Sequence, residues 1–294
     1  MVKYAQRIHT LYTLFLFLLP CLLFGQFIQV DGSLTKEELV EKFIGTTCIQ
    51  IVESSVHIKG WTFDDNDKSY GYFTKSSSSF GIDEGILLSS GKLLDAPGPN
   101  FGINNADHKD WKGDTDLEKA LHLNSGTTYN ATILEFDFIS PELNHISFDY
   151  LFASEQYLKK YDKGNCGYTD GFAFLIKEAN TSETYRNLAV LPNTTTPVSV
   201  NTVFGNDGKC SPINPQYFGQ FNPNMSPISF NGQTIVMKAE TYIIPGKRYH
   251  IKLVIADQGN GLYDSGVFLK AGSFVGTKSL GDDIYLCQGE TETR

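Results

Sequence analysis

Oxygen ligands and carboxylates are the residues of this chain most able to do chemistry, and they gather in turns. Asp64-Asp65-Asn66-Asp67, the set Asp107, Asp110, Asp114 and Asp116, and the pair Asp257 and Asp264 each lie in turn-like stretches with Gly or Asn nearby. Calcium takes six to eight such oxygens, backbone carbonyls included. The first cluster is not an EF-hand, because reading from Asp65 puts Tyr70 at the glycine position and Ser76 at the bidentate-glutamate position. Asp and Asn in loops also close ordinary Asx-turns, and that bland reading stands beside the metal one. The stronger calcium set is Glu155, Asp170, Asp257 and Asp264, which flank strand-like runs whose ends a sandwich would bring together. Calcium is therefore the cofactor to test.

Catalytic signatures are sparse. The chain has no His-Glu-x-x-His, no Gly-x-Ser-x-Gly elbow and no phosphate-cradling glycine loop. Asp264-Ser265-Gly266 is similar to a serine-protease nucleophile segment, but Tyr263 stands where glycine belongs and no histidine context supports a triad. Glu135/Asp137 and Asp149/Glu155 are the carboxylate pairs a polysaccharide hydrolase would need. Alternating carboxylates on a strand more often form its wet face, and the expectation is no catalysis. Near Asp170, Tyr157, Tyr161 and Tyr168 could rim a sugar site. Asn130, Asn180 and Asn193 each open an Asn-x-Ser/Thr sequon.

The elements that must position these residues read as strands. Charged residues make up 19% of the chain, below the roughly 25% of an average soluble protein, and 21 Phe, 15 Tyr and 27 Gly favour strands and turns over a helical bundle. Short runs recur between turn signals: Cys48–His57, Gly85–Ser89, Thr132–Ile139, His145–Phe152, Gly171–Ile176, Thr234–Ala239, Tyr249–Ala256 and Ser265–Ala271. One helix is expected over Leu34–Phe43, with Thr35 and Glu38 spaced as a capping box. The fold class expected is an all-β, jelly-roll-like antiparallel β-sandwich with one short N-terminal helix.

The N-terminus is basic at Lys3 and Arg7, runs apolar from Leu11 to Phe24 and offers Gly25 as a cleavage point, the pattern of a secretory signal peptide. Residues 1–25 carry those two basic groups and no acidic one, so their removal takes the formal charge from −9 to −11. An acidic secreted chain is a poor partner for nucleic acid, and no second stretch is apolar enough to span a bilayer. Cys48, Cys166, Cys210 and Cys287 remain, and in an oxidising compartment they are expected to pair. Three pairings are possible. Cys166–Cys210 is favoured because both lie in turn-rich segments, while Cys48–Cys287 or an unpaired Cys48 stays open. Residues 276–294 read as a linker and the clipped start of a further domain.

Several segments in order give a more specific signal than any one motif. Phe80–Gly91 (FGIDEGILLSSG) precedes Ala131–Phe138, Ile146–Tyr157 (ISFDYLFASEQY) and Asp170–Phe174 (DGFAF), followed by Pro197–Thr202, Asn214–Phe218, Tyr249–Asp257, Tyr263–Leu269 and Ala271–Phe274. Over about residues 33–275 this resembles the choice-of-anchor L domain of secreted and surface proteins of gliding-type bacteria. The resemblance implies an extracellular module at the front of a longer polypeptide, followed by immunoglobulin-like or PKD-like domains and a type IX secretion signal or another anchor. It implies no catalytic residues. Asp170-Gly-Phe-Ala-Phe is also similar to the strand on which legume-type lectins hold a sugar-binding Asp. The expected role is therefore adhesion or binding to a glycan or a surface protein. Two alternatives are carried with it, a calcium-assisted glycan-binding module using Asp170, Tyr157 and Tyr168, and a polysaccharide hydrolase.

Overall fold

Thr35 starts the only helix the sequence announces. Its backbone is extended, its hydroxyl accepts from Glu38 N at 3.2 Å, and the Glu38 carboxylate accepts from Thr35 N at 2.8 Å. Two of the bare N–H groups at the helix start are thereby satisfied. The helix, α1 (Lys36–Phe43), buries Leu39, Val40 and Phe43 and ends where Ile44 turns extended and bridges to Phe274. The computed structural model describes residues 26–45, 48–65, 67–75 and 78–277. The expected signal peptide, Cys287 and the clipped further domain lie outside these described residues.

The remaining chain is mostly strand. In order the strands are β1 (Gln29–Asp31), β2 (Gln50–Lys59), β3 (Thr62–Asp64), β4 (Asp67–Lys68), β5 (Tyr70–Thr74) and β6 (Glu84–Ser89). A six-residue helix, α2 (Thr115–Ala120), which the sequence reading does not foresee, precedes β7 (Thr128–Ile139), β8 (His145–Ser154), β9 (Gly171–Glu178) and β10 (Arg186–Asn187). Then come β11 (Phe218–Phe221), β12 (Gly232–Thr234), β13 (Met237–Tyr242), β14 (Arg248–Gln258), β15 (Ser265–Lys270) and β16 (Val275–Thr277). One sheet runs β10-β9-β14-β7-β2. The other runs β1-β5-β6-β15-β8-β12-β11, with β13 and β16 also paired to β8. The ladders of both sheets are antiparallel. The chain steps from one sheet to the other at β1–β2, from β2 through the β3–β4 hairpin to β5, and at β6–β7, β7–β8, β8–β9, β10–β11, β13–β14 and β14–β15, the winding of an all-β sandwich with jelly-roll character.

Alternation in β7 shows why. Leu134, Phe136 and Phe138 point between the sheets and are fully buried, as are Ile146, Phe148, Tyr150 and Phe152 of β8 and Phe172 and Phe174 of β9. The β8 sheet is also covered on its second face, where Leu151, Leu87, Phe73, Phe80, Phe230 and Phe268 form a separate core. This explains the unbroken apolar run Ile86-Leu87-Leu88: a strand buried on both faces has no polar phase. On the other sheet, α2 lays Leu117 over Ile133, Leu175 and Val254, so the outer face of β7 is half-covered rather than wet throughout.

Three boundaries differ from the sequence reading. Residues 26–32, which the sequence reads as a lead-in to the domain, contain β1, which pairs with β5, and the expected linker contributes Gly276 and Thr277 to β16 on β8. The run Thr234–Ala239 breaks into β12 and β13 around exposed Ile235 and Val236. The Cys166–Cys210 disulfide is present, with Cα atoms 5.7 Å apart; Cys48 is exposed and, among the described residues, in no disulfide.

Phe148 sits at the centre of the inter-sheet core, its ring 5.3 Å from Phe43, 4.9 Å from Phe174 and 5.7 Å from Phe274. Phe148→Ala is expected to cost about 3–5 kcal/mol of unfolding free energy. Phe101→Ala, on a 69% exposed side chain, should stay within about 0.5 kcal/mol. Urea unfolding of the two variants checks both values.

Candidate functional site

Strand register builds the site. Ala256 of β14 faces Gly171 of β9, so Asp257 and Asp170, one residue further on each chain, meet at the sheet end. Ser265 of β15 faces Ser154 of β8, which brings Asp264 and Glu155 together at the end of the other sheet. Ser265 joins the two pairs, because its hydroxyl donates to Asp170 Oδ2 at 2.8 Å while its N–H donates to Ser90 Oγ at 2.9 Å. The four carboxylates expected from sequence are thus gathered at one end of the sandwich, and all four are buried.

A loop is strapped over them. Asn104 N donates to Glu155 Oε1 at 3.0 Å, Ala106 N donates to both Asp264 oxygens at 3.0 Å, and Asp264 N returns a bond to Asn104 O. Asn130 Nδ2 donates to Asp257 Oδ2 at 3.1 Å and to Ala106 O at 3.3 Å. Gln258 N donates to Asp170 Oδ1 at 3.1 Å. Gly91 has to be glycine, since a Cβ there would fall inside the Asp264 carboxylate. Buried carboxylates without a cation resist ionisation. Burial pushes Glu155 up to about 8, with Asp264 adding to the rise against the Asn104 bond. Burial likewise raises Asp264 to about 7. Asp170 and Asp257 are raised well above the ordinary value, again by burial first and then by their acidic neighbours. Lys92 and Lys159 oppose this only as distant charges on Asp264 and Glu155. Among the described residues, no three His, Cys, Asp or Glu side chains are arranged to hold a metal ion by themselves.

Loops around this end carry exposed apolar side chains. Phe101 and Ile103 stand out on the strapped loop, Leu262 lies beside it where Tyr263 N bonds Asn105 Oδ1, and Tyr168 lies against Gly259. Of the expected sugar-rim tyrosines, Tyr161 and Tyr168 reach the surface. Tyr157 does not: it is a core residue, packed on Phe152, Phe204 and Phe218. Asp170 is fully buried as well, so a sugar at the surface does not reach it directly. Ser265 is equally enclosed and bonded to Asp170, a structural hydroxyl and not an open nucleophile. The sequence marks Asn130 only as a sequon and Ser90 only as part of a motif, and gives neither them nor the Asn104–Ala106 strap a place in the site. The Asn-rich stretch Asn100–Asp107 was the available signal. Of the three sequons, Asn180 and Asn193 are exposed, while Asn130 is buried in this cluster.

The other acidic clusters resolve into local roles. Asp114 caps α2 by accepting from Asp116 N and Leu117 N, and with Asp116 it pairs with buried Lys252 at 2.6 and 3.0 Å. Asp67 accepts from Leu94 N. The hydrolase pairs are similarly engaged. Asp149 is ion-paired to Lys238 and Lys270, six residues from Glu155 and therefore about 20 Å away along an extended chain. Glu135 and Asp137 hold opposite sides of the His250 ring at 3.6 and 2.6 Å, and Arg248 closes on Asp137. Beside this network an open groove of about 750 Å³ runs over the sheet face, lined by Tyr185, Arg186, Asn187, His122 and Thr194 among others.

A family model for the choice-of-anchor L domain matches residues 29–275, and the chain belongs to that family. Membership points to an extracellular, surface-associated module, and the family is not a known enzyme family. No curated protein matches the chain. Among the described residues, no helix is long and apolar enough to cross a membrane. The segments that carry the resemblance converge on the carboxylate cluster: Ser90-Gly91, Ser154-Glu155, Asp170-Gly171, Asp257 and Asp264-Ser265.

His250 supplies a pH dependence away from the cluster. Burial lowers its affinity for a proton, but Glu135 and Asp137 together outweigh this, and the net shift is upward from 6.5. Lys177 from β9, Arg248 and Lys252 from β14, and His57 and Lys59 from β2 are the basic residues on the same face. A histidine raised in the folded state stabilises fully below its unfolded value and loses that contribution as pH rises through its folded value. His250→Gln should therefore narrow its stability deficit against the parent as pH rises from about 5.5 to 8.5, measured by urea unfolding across that range.

Proposed function

We propose that the chain is a non-catalytic binding module of a secreted or cell-surface protein and that it adheres through the loop face over the carboxylate cluster. One observation carries this reading: exposed Phe101, Ile103 and Leu262 project from loops whose backbone is bonded to buried Glu155 and Asp264 of one sheet and linked through Asn130 to buried Asp257 of the other. Exposed apolar groups on a rigid base lose little freedom on contact, so more of their burial free energy appears as affinity. The target favoured is a protein or other apolar surface. The module reaches the outside on its N-terminal signal and is held there by further parts of the same polypeptide, in the manner of type IX secretion.

A second reading, glycan binding, is supported by the open groove and its Tyr185 ring, where an aromatic face and amide and hydroxyl groups meet. The two readings predict different losses. Beads coated with the secreted chain should adhere to protein-coated and apolar surfaces, and a Phe101→Ser/Ile103→Ser/Leu262→Ser variant should retain about a tenth as many, from roughly 1.4 kcal/mol lost. Equal retention would dismiss the loop face. A glycan array run with and without calcium decides the second reading: signal lost in Tyr185→Ala places the sugar in the groove, and silence in both conditions removes it.

A further inference from the structure

Three buried oxygens at the loop end have no hydrogen-bond partner: Asp257 Oδ1, Glu155 Oε2 and Asn130 Oδ1. Two belong to carboxylates, but the third is a neutral amide oxygen on a fully buried side chain. The Asn130 amide nitrogen is already engaged, on Asp257 Oδ2 and Ala106 O. These three oxygens are acceptors, so a cation or a donor answers them; a bare donor, Gln156 Nε2, lies next to Glu155 in the chain. The donor set is hard oxygen throughout: carboxylates from Asp170 and Asp257, an amide from Asn130, and hydroxyls from Ser90 and Ser265 close by. Calcium accepts this mixture, filling its six to eight positions with carboxylate, amide and water oxygens, whereas magnesium prefers to keep its own waters.

We propose that Asp257, Asp170 and Asn130 bind one calcium ion beneath the loop face, with Glu155 and Asp264 supplying further negative charge from the neighbouring sheet. Two carboxylates and an amide form a site that need not contain three acidic, His or Cys ligands, in agreement with the absence of such a trio among the described residues. The ion ties the end of β9 to the end of β14. Through Ser265 it reaches β15, and through Asn130 and Ala106 it reaches the strap. It fixes the loop face whatever that face binds, so the site stands or falls separately from the adhesive role.

The test uses the secreted chain, first stripped with EDTA. Atomic absorption after calcium loading and buffer exchange should find one calcium per chain. The melting temperature should rise by about 5–10 °C at a hundredfold excess of calcium over its Kd, and magnesium at the same concentration should not reproduce it. Asn130→Ala, which leaves every carboxylate in place, should weaken calcium binding about tenfold, while Asp83→Asn, an exposed acid at the opposite end of β6 from Ser90, should match the parent. Equal melting in calcium and EDTA with no retained metal would overturn the proposal and leave protons as the neutralising partners. So would a calcium response lost equally in Asp83→Asn, the mark of diffuse binding to an acidic surface.

Discussion

The end of this sandwich depends on cross-strand register. Side chains alternate along a strand, so a slip of one residue would carry a carboxylate to the opposite face. With Ala256 opposite Gly171 and Ser265 opposite Ser154, four acids from four strand ends arrive in one place. Register at this end is held by the inter-sheet aromatics. Phe172 lies 5.4 Å from Tyr150 and 4.9 Å from Phe152, so two of the four strands that deliver an acid, β9 and β8, are locked to each other across the sheets. Packing in the middle of the molecule therefore sets electrostatics at its end.

Those acids organise a loop that has little apolar surface of its own to bury. Residues 101–107 are exposed or half-exposed, and their tethers to the body include backbone N–H groups donated to Glu155 and Asp264 beside the Asn104 amide on Asp95 O and Ser229 Oγ. A hydrogen bond to a charged acceptor is roughly twice as strong as one between neutral groups, which suits a tether made of few contacts. Desolvation acts in the opposite direction, since each buried carboxylate gives up its water and is left close to others of the same sign. Neutralising the cluster strengthens the fold; leaving it charged strengthens each tether. Whatever resolves that conflict also sets how firmly the loop face is held.

The sequence made the strands legible because their phase is simple. Leu134/Phe136/Phe138 against Ile133/Glu135/Asp137 marks one packed face, and the Thr35–Glu38 spacing marks a helix start. It also showed that Glu155, Asp170, Asp257 and Asp264 flank strand ends. Exposure was harder to read. Tyr157 looks like a loop tyrosine beside Gln156 and Leu158, yet it is enclosed because Phe204 and Phe218, about 50 and 60 residues further along, fold back over it. Asn130 reads as a sequon within a polar stretch, and only the pairing of β7 with β14 turns it toward Asp257. Covering contacts of this kind are long-range, and no local pattern encodes them. Helix α2 was missed for another reason: at six residues it is too short to show a period, and it is held by the Asp114 cap and Lys252.

The two ends of function proposed for this chain make different demands on the same scaffold. A groove on the sheet face is shaped by strands whose positions are fixed by the core, so it recognises through pre-placed side chains and changes little on binding. A loop face is adaptable unless something below it is rigid, and adaptable loops spend binding free energy on being ordered. In this molecule the base of the loops is densely hydrogen-bonded: Ser90, Ser265 and Asp170 form one set and Asp257, Asn130, Ala106 and Asp264 another, and the two join along the chain at Asp264-Ser265. A chain that needed only to space other domains apart would gain nothing from burying four acids under an exposed loop. Burying them makes physical sense where the position of Phe101, Ile103 and Leu262 matters, because the network converts the rigidity of two sheets into a fixed outward surface.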